Sequence, residues 1–147
     1  MIEPATMDDL DAIMALEEAG FGPASRWIRR SWMPELTGTG HYVSAARDAD
    51  GALQGVAAFH RVGEVADLNR VIVAPLFRGR GIGRALLECG CGWAVAGGAE
   101  RMLLEVEPDN EAALGLYRAF GFLDVATRAN YYGAGRNALV MQKELVT

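Results

Sequence analysis

Lysine is almost missing from this sequence. Lys143 is the only one in 147 residues, arginine carries nearly all the basic charge, and acidic residues outnumber basic ones to give a net charge of −5. A chain of that balance is not expected to bind nucleic acid, because counterion release from a phosphate backbone needs a basic face. Cysteine is also scarce. Cys89 and Cys91 stand two apart on an expected helix and point to opposite sides, so they can neither pair with each other nor share a metal. The two histidines, His41 and His60, lack carboxylate or cysteine neighbours at ligand spacing, and no metal site is expected. Long apolar runs are absent too. Nothing approaches the roughly 20 residues of a membrane span, and the opening MIEPATMDDL is acidic, without the apolar core of a signal peptide. The expectation is a cytoplasmic protein away from membranes.

About half of the residues are apolar, enough at this length for one core, and residues 1–147 are expected to form a single domain. Thr6 and Asp9 resemble a capping box, and Leu10, Ile13, Met14 and Glu17 continue at helical spacing to Gly20. A second helix is expected over 25–33, ended by Pro34. The period then changes. HYVSAAR, ALQGVAAFHRV and EVADLNRVIVAP read as strands joined by short antiparallel connections. After Pro75 a glycine-rich loop leads into a helix with Ile82, Leu86, Cys89, Trp93 and Ala96 on one side, ended by Gly97 and Gly98. RMLLEVE is a strand, PDNEAALGLYRAF a helix capped by Asp109 or Asn110, and FLDVAT and NALVMQKE are two last strands. That order predicts an α+β or mixed α/β fold, a sheet with helices on its faces.

The segment Arg78-Gly79-Arg80-Gly81-Ile82-Gly83-Arg84 concentrates glycine and arginine where a helix begins. A strand running through such a loop into a helix N-terminus presents free N–H groups at the positive end of the helix dipole, which suits an anion. The dinucleotide fingerprint fails because its last glycine position is Arg84. A Walker loop fails because no lysine is present. A pyrophosphate cradle for coenzyme A, with arginines for its phosphates, remains, as does a plain glycine-rich helix start.

VIVAPLFRGRGIGRALL resembles the acetyl-coenzyme A signature of the GCN5-related N-acetyltransferases (GNAT), an arginine or glutamine followed by x-x-G-x-G. LLEVEPDNEAALGLYRAFGF resembles the strand, loop, helix and Tyr-x-x-x-Gly-Phe turn of the same family. Within it, Glu105, Asn110, Tyr117 and the triplet Asn130-Tyr131-Tyr132 look closest to the RimI-type ribosomal-protein-alanine N-acetyltransferases. GFGPASRWIRRSW and GAGRNALVM depart from that subfamily where the acceptor should bind. The resemblance implies a mostly antiparallel sheet whose central parallel strand pair splays to admit acetyl-coenzyme A as cosubstrate. It implies donor contacts from Val71, Ile72, Val73, Arg78, Gly79, Arg80, Gly81, Ile82, Gly83, Arg84, Asn110 and Tyr117, with a main-chain N–H of Val71, Ile72 or Val73 meeting the oxyanion.

Acetyl transfer to an amine needs a neutral nucleophile and a proton for the departing thiolate. An α-amino group has a pKa of roughly 7.7–8.0 against about 10.4 for lysine, so an N-terminal acceptor needs only a modest base. Glu105 is the candidate, on a strand where Met102, Leu104 and Val106 share one face and Leu103, Glu105 and Glu107 the other; a solvated strand carboxylate is the alternative. Glu107 reads as a surface charge. Tyr117 is the candidate proton donor to the thiolate, or else a core aromatic. Asn110 either contacts the donor or only caps its helix. Tyr131, Tyr132 and Trp27 or Trp32 are candidates for the acceptor groove. The implied partner is a protein N-terminus, that of a ribosomal protein, bound by a monomer or weak dimer. Two other functions fit the same residues: acetylation of a small amine or a lysine side chain, and non-catalytic acyl-coenzyme A sensing.

Overall fold

The computed structural model describes residues 1–145. In chain order the elements are β1 (Ile2–Pro4), α1 (Leu10–Gly20), α2 (Arg29–Thr37), β2 (His41–Arg47), β3 (Leu53–Val62), β4 (Val65–Val73), α3 (Ile82–Ala96), β5 (Arg101–Val106), α4 (Glu111–Ala119), β6 (Leu123–Gly133) and β7 (Arg136–Glu144). The seven strands make one sheet in the order β1-β2-β3-β4-β5-β7-β6. Every neighbouring pair is antiparallel except β4 with β5. This is the mixed, mostly antiparallel sheet with one central parallel pair that the family resemblance implies.

Both faces of the sheet are covered. In β3, Val56 and Ala58 pack with Leu10, Ile13, Leu16 and Trp32 of α1 and α2. Ala57 and Phe59, on the opposite face, pack with Leu86, Leu87 and Ala94 of α3 and with Leu114 and Tyr117 of α4. A strand buried on both sides reads as a continuous apolar run, which is what GVAAF is.

The feature that makes the site lies in β4. Its register against β3 shifts between Ala58 and Phe59, which pair with Arg70 and Leu68, so Asn69 is an extra residue. Such a bulge reverses the alternation of side chains beyond it. Ala66 and Leu68 accordingly face α3, whereas Ile72 faces α1 and α2. The parallel pairing of β4 with β5 ends at the same point, Leu68 opposite Leu104. Beyond it β4 runs on to Val73 and β5 to Val106 without pairing, and the sheet opens as a fork.

Three boundaries differ from expectation. The second helix spans Arg29–Thr37 and contains Pro34, instead of stopping before it. Residues 25–28 stay outside the helix because the main chain there is held by other elements: Trp27 N donates to Glu17 Oε1 (3.0 Å) and Arg70 Nη2 donates to Ser25 O (2.6 Å). Burial of Trp32 and Glu35 holds the following turns against the sheet despite the proline. β1, too short to show a period, pairs with β2, and β6 runs well past FLDVAT to Gly133. The Thr6–Asp9 capping box is present, although it opens a 3-10 turn, Met7–Asp9, immediately before α1.

Candidate active site

The fork opens onto two cavities. The first, about 410 Å³, is lined by Val71, Ile72 and Val73 of β4, by Arg78, Gly79, Gly81, Ile82, Gly83 and Arg84 at the start of α3, and by Asn110, Leu116 and Tyr117 of α4. One wall is the glycine loop at the start of α3. Gly81 caps α3 in a left-handed conformation (φ +80°), no side chain caps the helix, and Ala85 N donates to Gly81 O as the first helical bond (3.1 Å). The amides of Gly81, Ile82, Gly83 and Arg84 therefore lack intrahelical acceptors and form an anion-binding end. A Cβ added at Gly79 or Gly81 would project into open space, so the loop leaves room for a ligand against its backbone. Gly83 serves differently: a Cβ there would come within 3.1 Å of Leu116 Cδ2, so its lack of a side chain lets α3 and α4 approach. On β4, Arg78 Nε donates to Val73 O (3.1 Å). That places the main-chain groups of Val73, and by alternation those of Val71, on the cleft side, while Ile72 points its own toward β3.

The second cavity, about 1130 Å³, lies across the fork and is lined by residues 20–22 and 24–27, Glu35, Leu68, Asn69, Arg70, Glu105, Glu107, Tyr131, Tyr132 and Arg136, among others. The two cavities share Phe21, Val71, Asn110 and Tyr117, so they meet there. Tyr117 is 8% exposed and packs edge-on against Phe122 at 5.9 Å. Burial pushes its phenol up to about 12, and at neutral pH it keeps its proton. Asn110 caps α4, its Oδ1 accepting from Ala113 N (3.3 Å), so capping is satisfied while the residue also lines both cavities.

Glu105 faces the second cavity from β5. It is only partly buried, and Arg128 Nη1 of β6 donates to its Oε1 at 3.3 Å. Glu107, expected as a free surface charge, is instead tied to Arg136 Nη2 (2.5 Å), which also reaches Ser25 Oγ (3.4 Å). The β5 end, the β6–β7 hairpin and the α1–α2 loop are thereby linked across one end of the groove. Tyr131 and Tyr132 lie in an irregular part of the β6–β7 pairing, between Arg128 and Gly133. Asn130 turns the chain there: its φ is +55°, its N donates to Asn137 Oδ1 (3.0 Å), and its Oδ1 accepts from Gly135 N (2.8 Å). Asparagine tolerates this conformation because its short side chain bonds locally.

The groove's opposite wall rests on one buried carboxylate. Glu17 is fully buried and accepts from Trp27 N, Trp32 Nε1 (2.9 Å), Arg70 Nε (3.1 Å) and Arg70 Nη2 (2.6 Å). The Arg70 guanidinium lies 3.6 Å from the Phe21 ring centroid. Such a charge is tolerable in a core because every oxygen is satisfied.

Most of the residues singled out in the sequence converge here. Arg80 does not line the first cavity; its guanidinium stacks 5.4 Å from the centroid of Phe77. Trp32 is core, fully buried beneath Glu17, and only Trp27 reaches the groove. His41 and His60, which look isolated in sequence, are register partners on β2 and β3 with rings stacked at 4.1 Å. Cys91 is held neutral by burial, its thiol pushed up to about 11. The residues missed were Glu17, Glu35, Asn69, Arg70 and Arg136. One signal existed for Glu17: it falls on the same helical stripe as Leu10 and Ile13, where an acid needs a buried partner. Arg70, inside the apolar run LNRVIV, is that partner.

A two-cavity fork of this kind, one side walled by a helix N-terminus, defines an acyl-transfer fold, and the family model for the acetyltransferase (GNAT) family matches residues 7–122: the chain belongs to that family. It is 35% identical over 95% of its length to the N-alpha-acetyltransferase RimI of Mycobacterium tuberculosis, of which it covers 89%. It is 34% identical over 98% of its length to the uncharacterized protein ML0378 of Mycobacterium leprae, of which it spans only 40%. The crystal structure of the ribosomal-protein-S18-alanine N-acetyltransferase from Escherichia coli superimposes with a TM-score of 0.88 at 27% identity, covering 100% of this chain and 94% of that one. Relatives also include a mycothiol acetyltransferase of Clavibacter michiganensis, 34% identical over 86% of this chain and 43% of that protein.

Proposed function

We propose that this chain moves an acetyl group from acetyl-coenzyme A directly to a protein α-amino group, that of the N-terminal alanine of a small-subunit ribosomal protein, in the cytoplasm, with residues 1–147 acting as one domain and as a monomer or weak dimer. The observation that carries this reading is the meeting of the two cavities at Tyr117. A thioester can enter from the α3 side and an amine from the Glu105 side without either passing through the other's site. The names of the relatives above support the acceptor class.

In this reading the free amides of Gly81 to Arg84 hold the pyrophosphate, with Arg78 and Arg84 beside it. The amine arrives at Glu105, which takes a proton directly or through a water. Nitrogen attacks the thioester carbonyl while the main-chain N–H of Val71 donates to the oxygen. As the carbon–sulfur bond breaks, Tyr117 gives its proton to the thiolate. The groove lined by Trp27 and the Tyr131–Tyr132 pair takes the peptide that follows the amine.

The test is coenzyme A release from acetyl-coenzyme A with two peptides, one beginning with free alanine and one N-terminally blocked but carrying an internal lysine. Turnover with the free alanine alone is expected. Turnover with the lysine alone overturns the reading, and silence with both moves the acceptor to small amines or the chain to a sensor. Small amines remain the second reading because a mycothiol acetyltransferase stands among the relatives.

A further inference from the structure

The carboxylates of the second cavity are not alike. Glu105 has Arg128 and Glu107 has Arg136, Glu17 behind the wall has Arg70, and Asp109 is exposed to solvent. Glu35 differs. Its side chain is 10% exposed, and among the described residues it has no arginine or lysine partner. Its oxygens accept from Asn69 Nδ2 at 3.1 and 3.2 Å and from His41 Nδ1 at 3.2 Å. Asn69 carries no charge, and His41 is the one ionisable group among these contacts. These bonds fix the carboxylate's orientation without the permanent cation that the neighbouring acids have, and a nearly buried carboxylate gains most from such a partner.

The location says what can bring that charge. Asn69 is the bulge residue of β4 and Glu105 belongs to β5; each is the first residue beyond the last parallel pair, Leu68 with Leu104. They face each other across the mouth of the fork, where neighbouring strands start about 4.8 Å apart. One extended residue advances about 3.3–3.6 Å. An amine placed at Glu105 therefore has the side chain of the next residue within reach of Asn69 and of Glu35 beneath it. Asn69 Oδ1, which accepts no bond from the described residues, stands beside the carboxylate as a second acceptor.

We propose that Glu35 and Asn69 form a subsite for a cationic side chain, arginine or lysine, on the residue immediately following the acetylated amine. The subsite deepens the N-terminal acetyltransferase reading and rests on it. A guanidinium placed there donates to Glu35 Oε and Asn69 Oδ1 together, and it gives Glu35 the arginine-type partner that Glu17, Glu105 and Glu107 already have.

The test compares peptides that begin with free alanine and carry arginine or its neutral isostere citrulline at the second residue. A second pair places the same substitution at the sixth residue. Wild-type protein is expected to favour arginine at the second residue by about 10- to 100-fold in kcat/KM, the range of a charge-assisted hydrogen bond, with a ratio near one at the sixth. In Glu35→Gln the ratio at the second residue falls to near one, because the arginine peptide loses its advantage over the citrulline peptide. Coenzyme A affinity by calorimetry reports that the variant is folded. Should that variant fail to fold, the wild-type ratios decide alone. Equal ratios at both positions would mean general attraction to an acidic protein and overturn the subsite. So would a ratio unchanged in folded Glu35→Gln, while both leave N-terminal acetylation standing. Silence with every free-alanine peptide overturns the underlying reading and the subsite with it.

Discussion

The two halves of the site are made from different materials. The donor side is main chain: free amides at the start of α3, two left-handed glycines and the unpaired edge of β4, all within residues 71–84 and completed by α4. The acceptor side is side chain: Glu17 with Arg70, Glu107 with Arg136 and Ser25, and Glu35 with Asn69 join residues distant in sequence. Main-chain recognition suits a ligand common to a whole family, because it constrains only a few backbone conformations. Side-chain recognition can be rewritten by single substitutions. The contrast teaches where specificity can change while chemistry stays.

The most severe expected break lies at the border between the halves. Glu105→Gln should lower kcat by about 1,000-fold, within the range of general acid–base contributions, and leave coenzyme A affinity by calorimetry unchanged. Loss of donor affinity instead would mean that the two halves are not separable. Next in size is Glu17→Gln. It leaves the Arg70 guanidinium buried without its counter-charge and should cost about 3 kcal/mol of unfolding free energy, read by denaturant titration. Acceptor KM should rise as residues 25–28 loosen, while the donor dissociation constant holds at a temperature where the variant is folded.

That contrast also explains what the sequence disclosed. The donor side was legible because its signal is local: alternate glycines, arginines and a helix start fall within one short window, and Asn110 and Tyr117 sit two helical turns apart on a single element. The central parallel pair and the fork were legible only through family resemblance, since nothing in the periodicity of β4 announces that Asn69 is a bulge. The acceptor side was largely illegible. Arg70 meets Glu17, and Arg136 meets Ser25 and Glu107, only after the chain has folded. The same remoteness misplaced the second helix, whose first expected turn is held out of the helix by Glu17 and Arg70, and made Trp32 look like a groove residue when it lies beneath one.

A third break sharpens the donor half by itself. Gly81 has φ +80°, and a side chain there both strains the backbone and fills the space over the helix N-terminus. Gly81→Val should weaken coenzyme A binding by about 30-fold, equivalent to about 2 kcal/mol for a left-handed β-branched residue. Gly81→Asn, which tolerates that conformation better, should recover part of the loss. Acceptor KM at saturating donor should not move in either variant. An affinity left intact by valine would show that the ligand does not approach this backbone.

The smallest effect is a matter of pH, and it probes the junction itself. A solvated tyrosine titrates at about pH 10, whereas burial pushes Tyr117 up to about 12. The folded protein therefore holds this proton more tightly than the unfolded chain does. Its contribution to stability is complete below about pH 10 and is lost as pH rises from there toward 12. The proposed proton donor remains protonated over that first stretch. Once the acceptor amine is neutral, above about pH 8.5, kcat should stay level through pH 10, where a donor of ordinary pKa would have lost about half its protonated form. Brief assays at each pH, with stability checked alongside, resolve that twofold difference. A decline centred near pH 10 in the wild type, absent from a slow but level Tyr117→Phe, would show that water reaches the phenol and that the donor and acceptor halves meet through solvent and not through a dry contact.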